Sequence, residues 1–336
     1  MRIPRSSSIR GDWYVSSQIT VLGYSTLRGG SPTITYSSLI CERISLIGQC
    51  TELRTLCLEN AYGLGDDHLN AIIRKAAKLE SLNLSHCVEL TDLSLGNLSS
   101  LVELRSLAID GCAPNSNNAF SALSDMRTLQ HLDLRDCNSK ILNLYLVAHP
   151  ENLRTLIMSC RMTPKGFNVI CESFTKLEVL ELDDCRNLTD ADGLKFRSHR
   201  YLRSLRFVAG FGFTDRTFEG GLGSSDMEVL SITNGGLTDA GLRSLGAYHG
   251  RLETLELRYC WKLTVTGLVD LLRGQPFLRH LELRECESLS GSCIEELKVA
   301  CPRLISLNFY PYRGRDQPRS LEWFKSQRPW VFVNCR

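Results

Sequence analysis

The chain reads as an α/β solenoid, a horseshoe with parallel strands on its concave face and short helices on its convex face. Three observations predict it. First, a nine-residue phrase, L-x-x-L-x-L-x-x-C, returns at Leu79/Leu82/Leu84/Cys87, Leu104/Leu107/Ile109/Cys112 and Leu129/Leu132/Leu134/Cys137. It comes back at Leu177/Leu180/Leu182/Cys185, Leu252/Leu255/Leu257/Cys260 and Leu278/Leu281/Leu283/Cys286. Looser copies begin at Leu53, Leu153, Leu202, Met227 and Leu304, so successive starts stay 24–26 residues apart over eleven copies. Chance leucine spacing drifts within a few periods, whereas stacked repeats hold step. Second, the apolar residues inside each phrase alternate, as in Leu180-x-Leu182, which is a strand with one buried face. Third, a phrase of the form L-T-D follows the turn at Leu90-Thr91-Asp92, Leu188-Thr189-Asp190 and Leu237-Thr238-Asp239, with Phe213-Thr214-Asp215 as a variant.

Each repeat is built from those parts in order. The strand runs through the alternating leucines. The cysteine stands where the chain leaves the strand, and a thiol there can give a weak S–H bond to a neighbouring carbonyl while filling little space. The threonine caps a helix and the aspartate complements the positive end of its dipole. Apolar residues at helical spacing follow, such as Leu268, Leu271 and Leu272. The helix then crosses back, so the next strand must pair in parallel. Repeat seven is the irregular one: glycines at 210, 212, 220, 221 and 223 predict that loop replaces most of its helix.

The organisation expected is an N-terminal extension or cap over 1–33, partly disordered, a repeat array over 34–312, and a C-terminal cap over 313–336. Ile19-x-x-Leu22-x-Tyr24 fits the strand phrase loosely, with a helical stretch from Ile34 to Ile47 behind it. Downstream, Leu321-Glu322-Trp323-Phe324 and Trp330-Val331-Phe332-Val333 supply apolar surface to seal the last repeat, as terminal repeats require.

The 39 basic and 37 acidic residues leave a formal charge of +2, without the clustered basic excess that nucleic-acid binding needs. No run of apolar residues is long enough for a membrane span. The first residues lack the apolar stretch of a secretory signal, although Arg2, Arg5, Arg10 and three serines before Asp12 give a faint mitochondrial-presequence character. Six of the 14 cysteines share one repeat position. Stacked, they form a column about 5 Å apart whose side chains point the same way, which suits buried thiols in a reducing compartment better than disulfides. No C-x-x-C pair suggests zinc, and no cofactor is expected.

The turn cysteine, the L-T-D helix start, and the cysteine that closes a helix before the next leucine (Cys50 before Leu53, Cys301 before Leu304) resemble one repeat subclass. It is that of the cysteine-containing leucine-rich repeats of F-box/LRR proteins and their F-box-less relatives. The resemblance covers roughly residues 34–312. It implies that the repeats recruit a target protein, while a separate F-box docks a Skp-type adaptor and, through it, the cullin of an SCF ubiquitin ligase. An F-box opens on Leu-Pro and carries a three-helix apolar pattern; residues 1–50 show Ser, Gly and Thr instead, and no F-box is seen. The implied role is that of the substrate-binding subunit of such a ligase, in the cytoplasm or nucleus, monomeric outside its complex. The alternative is an F-box-less interaction or assembly factor, mitochondrial in one version.

Residues between the buried leucines should face the concave side. The middle of that arc is acid-rich, with Asp110, Asp133, Glu181, Asp183 and Asp184. The C-terminal third carries Glu256, Arg258, Tyr259, Trp261, Glu282, Arg284, Tyr310 and Tyr312, the candidate protein-binding set. Arg, Tyr and Trp supply interface anchors because each joins a large contact area to a polar handle. Trp261 is the sharpest of these, since small or polar residues follow the turn cysteine in sister repeats. The plainer reading has Glu256, Arg258, Glu282 and Arg284 pairing across neighbouring strands. Catalysis is not expected: no H-E-x-x-H, G-x-S-x-G or paired-acid spacing occurs, and a repeat face rarely encloses a water-excluding pocket.

Overall fold

The computed structural model describes residues 33–35, 51–112, 123, 125–137, 150–209, 212–233, 236–248, 250–289, 296–297, 299–310 and 319–334. Among these, thirteen strands form one sheet in strict sequence order, every neighbouring pair parallel. They are β1 (Thr33–Thr35), β2 (Thr55–Cys57), β3 (Ser81–Asn83), β4 (Ser106–Ala108), β5 (His131–Leu134), β6 (Thr155–Arg161) and β7 (Val179–Cys185). Then come β8 (Ser204–Ala209), β9 (Val229–Thr233), β10 (Thr254–Arg258), β11 (His280–Arg284), β12 (Ser306–Tyr310) and β13 (Phe332–Asn334).

The register lays equivalent leucines side by side. Leu205, Leu230, Leu255, Leu281 and Leu307 form one row and Phe207, Ile232, Leu257, Leu283 and Phe309 the next. All ten are at most 2% exposed. Each such side chain contributes roughly 1.5–3 kcal/mol by leaving water, so the rows hold the solenoid together.

At six strand exits the chain turns through one left-handed residue, at Asn60, His86, Gly111, Asp136, Tyr259 and Glu285, with φ between 51° and 66°. The cysteine just after it reaches back to the preceding repeat. Cys87 Sγ donates to Leu58 O at 3.1 Å, Cys112 to Leu84 O at 3.2 Å and Cys137 to Ile109 O at 3.2 Å. Burial pushes the Cys87 thiol up to about 11 and that of Cys112 up to about 12, so both stay protonated donors. Cys57, Cys87, Cys112, Cys137, Cys171, Cys185, Cys260, Cys286 and Cys301 are free thiols.

Ten- and nine-residue helices occupy the convex side at Asp66–Lys75, Pro164–Ser173, Asp239–Tyr248 and Val265–Arg273. In other repeats only a turn remains, at Asp92–Leu95, Asp190–Gly193 and Asp215–Phe218. Threonine caps them as expected: Thr163 and Thr264 accept from Gly166 N and Gly267 N at 3.1 and 3.3 Å. The aspartate does more than meet the helix dipole. Asp239 receives Thr264 N at 2.9 Å and Thr264 Oγ1 at 2.6 Å, from the next repeat. The same two-pronged grip joins Asp66 to Thr91, Asp190 to Thr214 and Asp215 to Thr238. It also explains two glycines. A Cβ on Gly267 would overlap the Asp239 carboxyl, and one on Gly241 would crowd that of Asp215.

Repeat seven has only the four-residue helix Asp215–Phe218, and Gly220, Gly221 and Gly223 follow with φ of 80–93°. The volume a longer helix would fill is taken by rings. Phe196 packs on Phe207 at 5.5 Å and on Phe167 at 5.0 Å, and Phe207 meets Phe213 and Phe218 at 5.8 and 6.4 Å.

At the N-terminal end, Thr33–Thr35 pairs with β2, placing Ile34 beside Leu56. A strand therefore stands where the expected Ile34–Ile47 helix would begin, because Ile34 continues the leucine row. The remainder of that stretch and the Ile19–Tyr24 phrase lie outside the described residues. At the C-terminal end the helix Arg319–Gln327 leads to β13. Phe324 is fully buried, and Arg328 donates to Cys301 O at 2.7 Å.

Candidate functional site

The residues between the two leucine rows stand on the concave side in lines across the sheet. In register, Glu181, Arg206, Ser231, Glu256, Glu282 and Asn308 form the first line. Val208, Thr233, Arg258, Arg284 and Tyr310 form the second. The expectation that such residues lie open to water needs correcting for the first line. Asn83, Asp133, Ser231 and Glu256 are all under 9% exposed, since long side chains from adjacent strands close over them.

Glu256 lies at the centre of an ion-pair row. Its Oε2 takes Arg206 Nη1 at 2.6 Å, Arg258 Nη2 at 3.2 Å and Ser231 Oγ at 3.0 Å. Arg206 turns its Nε to Glu181 at 3.4 Å, and Arg258 places its Nε 2.8 Å from Glu282. Taking charges from water is costly, and sharing each guanidinium between two carboxylates offsets that cost. Burial pushes the Glu181 carboxyl up to about 7 even with Arg206 and Arg135 beside it. Nearer the N-terminal end, Arg135 clasps Asp133 at 2.5 Å, and Asp110 lies 3.7 Å from His86. Burial and the neighbouring Asp133 hold the Asp110 carboxyl above its usual value.

The structure brings most of the candidate set together and separates its roles. Glu256, Arg258 and Glu282 belong to the row just described. Arg284 stands over the Tyr310 ring at 5.5 Å, a cation–π arrangement, and Tyr310 OH accepts from Asn334 Nδ2 of β13 at 3.0 Å. Tyr259 and Trp261 leave the sheet and flank the turn cysteine on the strand-exit rim, 40% and 38% exposed. Tyr259 has φ of 53°, where a bulky side chain is uncommon. Tyr312 lies outside the described residues. Sequence reasoning puts Arg206 on the concave face but leaves it out of the candidate set, although it is the hub joining Glu181 to Glu256.

The histidines and cysteines do not assemble into a reactive pair. His131 Nδ1 is 2.9 Å from Thr155 Oγ1, and the thiol nearest His86 in sequence, Cys87, is buried and held protonated. Among the described residues no group of three His, Cys, Asp or Glu is placed to hold a metal ion, and no helix is long and apolar enough to cross a membrane.

A chain in the crystal structure of the yeast Rad7–Elc1 complex superposes over 90% of this chain and 80% of its own length, with TM-score 0.70 and 18% identity. An internalin from Listeria monocytogenes covers 79% of this chain and 69% of its own, with TM-score 0.50 and 16% identity. The chain is a leucine-rich-repeat solenoid. F-box/LRR-repeat protein 4 of Bos taurus is 27% identical over 162 residues, 46% of this chain. The TMV resistance protein N of Nicotiana glutinosa is 32% identical over 132 residues, 38% of this chain. The solenoid spans only 26% and 11% of those two relatives' lengths. No family model matches it.

Proposed function

We propose that the chain is a protein-recognition scaffold, the substrate-binding subunit of an SCF-type ubiquitin ligase acting in ubiquitin-dependent protein catabolism. The observation that carries the scaffold role is the concave face itself. An uninterrupted parallel sheet presents lines of side chains that differ from repeat to repeat, while everything beneath them repeats. Such a face offers area and variety but no enclosed chemistry. Binding without catalysis is the role it fits. The ligase role is supported by the likeness to F-box/LRR-repeat protein 4 together with the cysteine-bearing repeat type.

The target docks on the C-terminal third, where Arg284, Tyr310, Tyr259 and Trp261 join large contact area to polar handles. Tyr312 completes the set. The ion pairs of Glu256, Arg258 and Glu282 hold the floor beneath. A Skp-type adaptor and a cullin complete the assembly, and the chain is monomeric outside it, in the cytoplasm or nucleus. The test is affinity purification of the tagged full-length chain from cells. The reading predicts that a Skp-type adaptor and a cullin co-purify in stoichiometric amounts; their absence overturns the ligase role and leaves a plain recognition scaffold. A second reading, a mitochondrial assembly factor, draws on Arg2, Arg5 and Arg10 among serines ahead of Asp12. Imaging the same tagged chain separates the two, since organelle import with N-terminal cleavage supports the second and a cytosolic or nuclear signal the first.

A further inference from the structure

We propose that the strand-entry rim from β11 to β13 is a second docking surface, which takes a segment of a partner protein carrying large apolar side chains beside carboxylates. It lies at the opposite ends of the strands from Tyr259 and Trp261, so it goes beyond the recognition face described above.

Over the earlier repeats this rim carries ion pairs between neighbours. Lys78 meets Glu52 at 2.8 Å, Arg203 meets Glu228 at 2.7 Å and Arg251 meets Asp226 at 3.1 Å. Towards the C-terminal end the same positions turn apolar. Phe277 and Trp330 stand where Asp226 and Arg251 stand in earlier repeats, and Ile305 and Phe332 where Glu228 and Glu253 do. All four are between 43% and 67% exposed. They form one patch. Phe332 N donates to Ile305 O at 2.9 Å, and Arg303, at the position between Phe277 and Trp330, lies over the Phe277 ring at 5.4 Å. Lys325, Trp330 and Phe332 help to line a hollow of about 490 Å³ beside β13, the last strand of the sheet.

Sealing the final repeat does not account for these side chains. That work falls to Phe324 and Val331, which are buried, whereas Trp330 and Phe332 stay in water. Single exposed apolar residues are ordinary; a contiguous patch rimmed by charge marks an interaction site. The charges choose the occupant. From Arg303 onward the described residues include Arg303, Lys325 and Arg328 against a single acid, Glu322. Among the described residues Arg303 and Lys325 form no ion pair, although rim cations of earlier repeats meet a carboxylate of the repeat beside them. A partner that brings apolar groups and carboxylates answers both features. A second copy of this chain does not, because a two-fold contact would set Arg303 and Lys325 against their own kind.

The test uses the full chain and fluorescence anisotropy with three labelled peptides of equal length: leucine–glutamate, leucine–lysine and serine–glutamate. The proposal predicts saturable binding of the leucine–glutamate peptide alone, weakening as salt rises. Arg303→Ala/Trp330→Ala, checked for an unchanged melting curve, should lose about tenfold in affinity or more, as loss of an aromatic anchor and its neighbouring cation implies. If that variant melts early, Lys325→Ala, at an exposed side chain with no ion pair to lose, should still weaken binding and flatten its salt dependence. Equal binding of all three peptides, or full affinity in these variants, overturns the proposal. So does a concentration-dependent dimer that Trp330→Ala abolishes, which would give the patch to a second copy. Trp261→Ala/Arg284→Ala should bind the peptide as the parent does; loss of binding there would move the segment to the other rim and overturn this site. Failure here is separable from failure of the recognition role. A cellular partner lost on Trp261→Ala/Arg284→Ala, while the leucine–glutamate peptide never binds, keeps the scaffold and discards the second surface.

Discussion

The convex and concave sides of this solenoid are made under opposite rules. On the convex side the same device recurs: an aspartate grips the backbone N–H and the hydroxyl of the next repeat's threonine, at Asp66, Asp190, Asp215 and Asp239 alike. On the concave side equivalent positions read Glu181, Arg206, Ser231, Glu256, Glu282 and Asn308, joined by an ion pair at Glu181–Arg206 and by hydrogen bonds at Ser231–Glu256 and Asn308–Glu282. What repeats holds the stack together. What varies is available for recognition. The difference separates the residues whose loss should unfold the chain from those whose loss should only silence it.

The largest effect belongs to the shared core. Leu255 is fully buried in the middle of the leucine row, and Leu255→Ala should cost roughly 2–5 kcal/mol in urea unfolding. A loss under about 1 kcal/mol would mean the row is loosely packed there. Next comes the aspartate grip. Asp239→Asn keeps the shape but weakens two charge-assisted bonds and should cost about 1–2 kcal/mol. The grip should also fail in acid. Burial of Asp190 opposes ionisation, but the donors of Thr217 and Thr214 outweigh it and hold the carboxyl below its usual value. A depressed folded-state pKa stabilises the fold above the unfolded value, near 3.9, and that part is lost as pH falls through the folded one.

Glu181, on the other side, has the reverse sign. Burial, only partly offset by Arg206 and Arg135 and reinforced by Asp183 and Asp133, pushes it up to about 7. The folded chain therefore keeps a proton that the unfolded chain gives up near 4.5, and stability declines as pH rises from there towards 7. Glu181→Gln should flatten that decline in melting curves taken across the same range. An unchanged slope would remove Glu181 as its source. The smallest effect is at the surface pair Arg251–Asp226, 65% and 63% exposed at 3.1 Å, where Arg251→Ala should stay within about 0.5 kcal/mol of the parent.

Much of the scaffold was legible in the sequence because each repeat repeats its physics. The leucine period fixed the strand, its register and the parallel pairing; Thr91 and Thr214 were recognisable caps; the column position of Cys87 and Cys112 implied thiols bonded to carbonyls rather than disulfides. The aspartate grip was not legible as such, because it joins residues about 25 apart and L-T-D within one repeat reads as an ordinary helix start. Its trace was present in Gly241 and Gly267, three residues after their threonines, where only a missing Cβ leaves room for the carboxyl of the repeat before. The concave face was half legible. Alternation placed Glu256 and Arg258 on the correct side, yet it treats a strand as flat. The curved sheet with its crowded long side chains buries Glu256 beneath Arg206 and Arg258, so a residue read as open surface is the centre of a shielded row. The strand Thr33–Thr35 was not legible because Ser31 and Tyr36 stand at the other two leucine positions of the phrase around Ile34.

The separation of building face from binding face is tested most directly by Trp261→Ala/Arg284→Ala, assayed side by side for capture of the cellular partner and for thermal unfolding. Both side chains stand clear of the leucine rows, so the account predicts that capture is abolished while the melting curve is superimposable on the parent's. Undiminished capture, or loss of capture only in step with a lowered melting temperature, would contradict it.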